Sequence, residues 1–125
     1  MKNIIIIDND PTNNYLCELT IKSILKDIKI TSYTSPFQAF SSISASPIDP
    51  DTTILLLLDL ALPEMNGWQF LEKVESEKIE CRVFILSSSA DPVDKEIAGK
   101  HTIVEGFFSK PLSVEHINLM MNNQC

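Results

Sequence analysis

The chain is expected to fold as a doubly wound α/β domain, one open parallel sheet with helices on both faces. Short apolar runs alternate with longer stretches of helical period in a βαβα rhythm. The runs "IIII" at Ile4 to Ile7 and "TILLLL" ending at Leu58 are apolar at every position, as in strands covered on both sides. Five such units follow without a repeat or linker, and right-handed crossovers turn them into one sheet clad by helices. The size agrees: 125 residues with 44% hydrophobic content make one domain with a full core.

The elements follow in order. Ile4 to Ile7 is the first strand. Pro11 and Thr12 signal a helix start, and Tyr15, Leu16, Leu19 and Ile24 recur on one face, with Glu18, Lys22 and Lys26 elsewhere. The first helix is therefore expected over Tyr15 to Ile24, with those four residues as its apolar face. Ile28 to Ile30 is the second strand, Phe37 to Ser46 the second helix, and "SPIDPD" a polar loop. Ile54 to Leu58 is the third strand and Gly67 to Glu77 the third helix. Val83 to Leu86 is the fourth strand, and a short helix follows Asp91-Pro92. A last strand near Gly106 to Phe108 and a helix over Val114 to Asn122 close the domain.

Charge and cysteine usage exclude several classes. A net charge of -7 opposes sequence-blind contact with nucleic acid or anionic membrane, leaving proteins or small ligands as partners. Cys17, Cys81 and Cys125 are odd in number and lack metal-site spacing, which fits a reducing cytosol. The longest apolar run, Ile54 to Leu58, is far below the roughly 20 residues that span a bilayer, and no basic leader precedes one. A cytoplasmic location is expected.

Polar residues collect where the strands end. The first strand ends in Asp8, Asn9 and Asp10, the third in Asp59, the fourth in Ser87, Ser88 and Ser89, and the fifth in Ser109 and Lys110. In a flavodoxin-like strand order, 2-1-3-4-5, the first and third strands lie about 4.8 Å apart, so Asp8 and Asp59 share a pocket. Ionised carboxylates so close repel unless a cation sits between them, and hard oxygen ligands suit Mg2+. Lys110 and Ser87 would then face the oxygens of a phosphoryl group. Taken singly, Asp8 and Asp10 could be helix caps, Ser87 a loop serine, Lys110 a solvated turn lysine, and Trp68 or Phe107 core aromatics. Their joint placement at four strand ends favours a site.

These segments resemble the receiver domains of bacterial two-component response regulators, over the whole chain. "IIIIDNDPTNN" looks like that family's first strand and acidic corner, and "LLLLDLALPEMNGWQFL" its phosphoacceptor segment, with Asp59, Pro63 and Gly67 at the motif spacing. "VFILSSS" is similar to its fourth strand, and "GFFSKP" to its Lys-Pro ending. The resemblance implies that Asp59 takes a phosphoryl group from a phosphohistidine on a sensor histidine kinase or histidine phosphotransfer protein. It implies Mg2+ held by Asp59, Asn9, the backbone carbonyl of Ala61 and water, with Asp8 acting through water. Lys110 pairs with the phosphoryl oxygens after a cis Lys110-Pro111 bond. Ser87 and Phe107 switch the surface around the fourth helix and fifth strand toward a downstream effector protein. Asp10 becomes the cap of the first helix. The chain is then a phosphoacceptor rather than an enzyme with a separate substrate, and it is expected to be a stand-alone receiver spanning residues 1–125, with no output domain.

Three departures from the family pattern involve four positions. Asn9 replaces the usual acid, Phe107 the common Tyr, and Ala61 and Ser89 are small where polar residues help place attacking water. Weaker metal binding and a long-lived phosphoaspartate are expected. Three other readings compete. In a haloacid dehalogenase-type phosphatase, "IIIIDNDPT" would supply Asp8 as nucleophile and Asp10 as acid-base, with Thr12 behind; it leaves Asp59 unexplained and lacks an acidic pair after Lys110. A pseudo-receiver that binds without phosphorylation is favoured only by Asn9. Flavin binding would want a phosphate loop after the first strand, where "DNDPTNN" has no glycine.

Overall fold

The computed structural model describes residues 2–45, 52–62, 64–88 and 91–122. Ser46, the "SPIDPD" loop, Pro63, Ser89 and Cys125 lie outside them. Ten elements alternate: β1 (Lys2–Ile7), α1 (Pro11–Ile24), β2 (Lys29–Tyr33), α2 (Pro36–Ala45), β3 (Thr53–Leu58), α3 (Gly67–Ser76), β4 (Arg82–Ser87), α4 (Pro92–Ala98), β5 (Val104–Ser109) and α5 (Val114–Asn122). The strands form one parallel sheet in the order β2-β1-β3-β4-β5, as expected. Among the described residues no helix is long and apolar enough to cross a membrane.

The unbroken apolar strands serve two cores at once. Side chains alternate across a sheet, so Ile5 and Ile7 with Leu56 and Leu58 enter one cluster, closed by Ala39, Phe40, Phe70, Leu71 and Val74 of α2 and α3. Ile4, Ile6, Leu55 and Leu57 enter the other, with Cys17 and Ile21 of α1 and Ile117 and Met120 of α5. Each fully buried Ile or Leu contributes about 1.5–3 kcal/mol, which fixes the register of β1 against β3.

Two expectations are corrected. Tyr15, Leu16 and Leu19 are not the inner face of α1: they are 59%, 53% and 48% exposed, while Asn14, Cys17 and Ile21 are buried. The helix is phased from its N-terminus. Asp10 caps it by accepting from the Thr12 amide at 3.0 Å, Pro11 opens the first turn, and the Asn14 side-chain amide donates to the Asp8 carbonyl at 3.0 Å. These ties start the helix before Tyr15 and rotate the larger apolar residues outward. The second strand also runs on through Thr31, Ser32 and Tyr33, which pair with Ile5, Ile6 and Ile7. As an edge strand it tolerates polar residues, one of which, Ser32, donates to Glu18 of α1 at 3.1 Å.

Two local devices hold the loops that carry the site. Gly67 packs so closely that a Cβ there would lie 2.8 Å from the Asp59 carbonyl and from Leu60 Cα, and its amide donates to the Leu60 carbonyl at 2.9 Å. Asn66 and Gln69 close a capping box around the same helix start. At α5, the Ser113 amide donates to His116 Nδ1 at 3.1 Å, and the His116 amide donates to Ser113 Oγ at 3.2 Å. The His116 ring stacks on Phe108 at 4.5 Å.

Gly67→Ala should destabilise by about 1–3 kcal/mol through overpacking against backbone, read as a lower urea midpoint at unchanged slope. Burial lowers the His116 pKa, opposed by Glu115, so the folded state resists a proton that the unfolded chain accepts at its ordinary value of about 6.5. Stability is then fully present above that value and is lost as pH falls below it, toward the folded-state pKa. His116→Gln keeps a capping-box side chain but cannot titrate. The drop in urea midpoint between pH 7.5 and pH 5.5 should therefore be smaller in this variant than in the wild type.

Candidate functional site

The order β2-β1-β3 reverses the direction of winding between β1 and β3, and the residues after those strands face the crevice this creates. The Asp8 amide donates to the Tyr33 carbonyl at 3.1 Å and the Asp59 amide to the Ile7 carbonyl at 2.9 Å, so each acid is fixed by one bond beyond its strand. Both are buried, Asp8 to 2% and Asp59 to 5% exposure. On the far side the Lys110 amide donates to the Ser87 carbonyl at 2.9 Å, and the Lys110-Pro111 bond is cis. The Lys110 ammonium reaches both acids, 2.6 Å from Asp8 Oδ2 and 3.3 Å from Asp59 Oδ2.

This is a charge arrangement with one cation for two carboxylates. Burial pushes Asp8 above the ordinary carboxylate range and the Asp59 charge adds to this, against the Lys110 hydrogen bond and the Asp10 amide. Burial alone would depress Lys110, but its bond to Asp8 and the charges of Asp59 and Asp8 outweigh it and hold the ammonium above its usual value. Lys110 is therefore protonated, and the pocket keeps an excess of negative charge. The hard oxygens placed here are those of the two carboxylates, while Asn9, expected beside them, is exposed directly after Asp8, and Ala61 follows Asp59 by two residues. Among the described residues no three His, Cys, Asp or Glu side chains are grouped to hold a metal. One or two carboxylates completed by neutral oxygens and water is nonetheless the usual set for Mg2+, so these residues fit that ion.

The other expected residues take distinct places. Ser87 is buried at the end of β4, 2% exposed. The Ala61 amide donates to Asp59 Oδ1 at 3.3 Å. Phe107 is half-buried against the cluster under α2 and α3, whereas its neighbour Phe108 lies in the opposite core. Asp10 is exposed and occupied in capping α1, which is not the acid-base position that the phosphatase reading needs. Two residues escaped sequence reasoning. Asn13 Nδ2 donates to Asp8 Oδ2 at 2.7 Å, and Asn14 braces the Asp8 carbonyl. The available signal was the start of α1: a helix opening at Pro11 returns the side chain of residue 13 to the end of β1. Cys17 closes the wall beneath, its thiol pushed up by burial to about 11 and so neutral.

Several known proteins share this arrangement of strands and helices. A two-component response regulator from Cytophaga hutchinsonii is 27% identical and superposes with a TM-score of 0.83, covering 98% of this chain and 95% of its own. TrrA from Thermotoga maritima, solved in complex with Mg2+ and BeF, has the same fold at 14% identity, with a TM-score of 0.76 over 97% of this chain and 96% of its own. The probable transcriptional regulatory protein TcrX of Mycobacterium tuberculosis is 33% identical over 67 residues, 54% of this chain but only 28% of that longer protein. The model of the response regulator receiver domain matches residues 4–122, from within β1 to the end of α5. All ten described elements overlap that match, and the chain belongs to the response regulator receiver domains of two-component systems.

Proposed function

We propose that this receiver domain is a phosphoryl-accepting switch in which Asp59 is the acceptor. The observation that carries the reading is the Lys110 ammonium held between two buried carboxylates at the switch point of the sheet. A carboxylate oxygen of Asp59 attacks the phosphorus of a phosphohistidine presented by a sensor kinase or phosphotransfer protein. The P–N bond breaks, the imidazole leaves with the electron pair and is protonated, and an acyl phosphate is formed on Asp59. Lys110, closer to Asp8 than to Asp59 at rest, shifts to the phosphoryl oxygens, and the Ser87 hydroxyl donates to them.

Asp59, Asn9 and the Ala61 carbonyl would hold Mg2+, with Asp8 acting through water. The ion supplies charge neutralisation at the phosphoryl oxygens. TrrA, similar in fold, was solved with Mg2+ and BeF, which supports a site of this kind here. Pull on Ser87 and Lys110 is transmitted to β5, where inward rotation of Phe107 alters the surface around α4 and β5 that a protein effector reads.

Trp68, the single tryptophan, follows Gly67, which packs on the Asp59 carbonyl, and its ring stacks on His101 at 5.8 Å. Its fluorescence should respond to Mg2+ and then to beryllofluoride or a small phosphodonor, and Asp59→Asn should abolish the second response. Asn9→Asp should tighten Mg2+ about tenfold by restoring a ligand charge, about 1.4 kcal/mol. A wild type that responds to neither reagent would instead be a pseudo-receiver. Ala61 offers no polar group to place attacking water, so the phosphoaspartate should last minutes or longer; decay within seconds after removal of the phosphodonor would contradict this.

A further inference from the structure

Asp8 Oδ2 is shared by two donors from different parts of the fold, one on a long side chain and the other on a short side chain in the first turn of a helix. Lys110 Nζ reaches it at 2.6 Å on a long side chain from the β5–α5 loop. Asn13 Nδ2 reaches it at 2.7 Å from the first turn of α1, three residues beyond the Asp10 cap. The other oxygen, Oδ1, accepts from the Asp10 amide at 2.9 Å. An ionised carboxylate only accepts hydrogen bonds, so the Asn13 side chain must turn its NH2 to Asp8. The same nitrogen lies 3.7 Å from Cys17 Sγ, one helical turn on, and this buried thiol backs it.

We propose that Asn13 is a positioning residue of the phosphoryl-accepting site, a standing donor that keeps Asp8 Oδ2 hydrogen-bonded when Lys110 leaves it for the phosphoryl group. The inference rests on the function proposed above. As Lys110 moves from Asp8 toward a phosphoryl group on Asp59, its 2.6 Å bond to Asp8 Oδ2 lengthens. Without Asn13, its departure would leave the oxygen of a buried carboxylate with no protein donor, a penalty charged to the phosphorylated state alone. A neutral amide meets this need without adding a positive charge where a metal ion must enter. Asn13 does not touch the reacting atoms; it acts through Asp8 and Lys110.

The test is beryllofluoride binding, in which the beryllium fluoride on Asp59 stands for the transferred phosphoryl group, at saturating Mg2+. The 19F signal of the bound species and Trp68 fluorescence would both be read. Asn13→Ala and Asn13→Leu should each bind beryllofluoride about tenfold more weakly than the wild type, while their Mg2+ affinity without beryllofluoride changes less than twofold. Alanine removes the side chain and is the better helix former, while leucine keeps the branched outline of asparagine without its donor, so folding loss or a cavity would not act alike in both. In a Lys110→Ala background no lysine is left to move, and Asn13→Ala should then have no further effect on beryllofluoride binding. An unchanged affinity in both Asn13 variants would overturn the proposal. So would an equal loss with and without Lys110, or a parallel loss of Mg2+ affinity, since these mark a merely structural residue. Failure of the wild type itself to bind beryllofluoride would instead strike the phosphoacceptor reading, so the two failures are distinguishable.

Discussion

One ammonium between two buried carboxylates is the constraint on which the domain is built. Asp8 and Asp59 are adjacent because β1 and β3 are adjacent, and their burial follows from the helices packed over both sheet faces. In so little water their mutual repulsion is weakly screened, and the Lys110 ammonium between them offsets it. The lysine comes from the far end of the sheet, with β4 between β3 and its own strand, and it bridges segments 51 and 102 residues away in sequence. The fold therefore does more than enclose a site: it brings together three charges that would not stay together by local structure.

The same constraint explains why so much apolar material lies below so small a polar edge. Two clusters, one on each sheet face, use alternate residues of the same strands, so a slip of β1 by one residue would exchange its inner and outer sets and displace Asp8 as well. The helix starts carry the next layer of control. Asp10 and Asn14 anchor α1 to the end of β1, Gly67 lets α3 begin against the Asp59 carbonyl, and the Ser113–His116 box begins α5 three residues past Lys110. Each of the three helices starts within eight residues of the charged group it steadies.

Legibility in the sequence followed the kind of force involved. Strands β1 and β3 were plain because parallel strands buried on both faces are apolar throughout, and their terminal acids were conspicuous against that background. The strand order was taken from the flavodoxin-like fold, since no periodicity specifies which strands are neighbours, and the resemblance then made the roles of single residues specific. The phase of α1 was misread because hydrophobic periodicity weighs Tyr15, Leu16 and Leu19 above Asn14 and Cys17, whereas the cap and the bond to the Asp8 carbonyl decide which side turns inward. Polar residues in β2 hid its length, because an edge strand can satisfy them at its open side or with a neighbouring helix. Asn13 was invisible for the same reason as the phase of α1: its importance lies in a bond to another element, and residue type alone does not announce it.

The split of Lys110 between its partners also bears on how a receiver rests. It lies 0.7 Å closer to Asp8 than to Asp59, the difference of 3.3 and 2.6 Å, so Asp59, the proposed acceptor, is the less tightly held of the two acids. In the proposed reaction a lysine locked on Asp59 would neutralise the nucleophile and bar the phosphoryl group; one drawn toward Asp8 leaves an oxygen of Asp59 accessible while still offsetting its charge. Asp8 can draw the lysine because its carboxylate is fully oriented, Oδ1 by the Asp10 amide and Oδ2 by Asn13. The asymmetry thus originates at the start of α1, a place with no direct contact to Asp59 among the described hydrogen bonds, and it sets the state from which the proposed switch would be thrown.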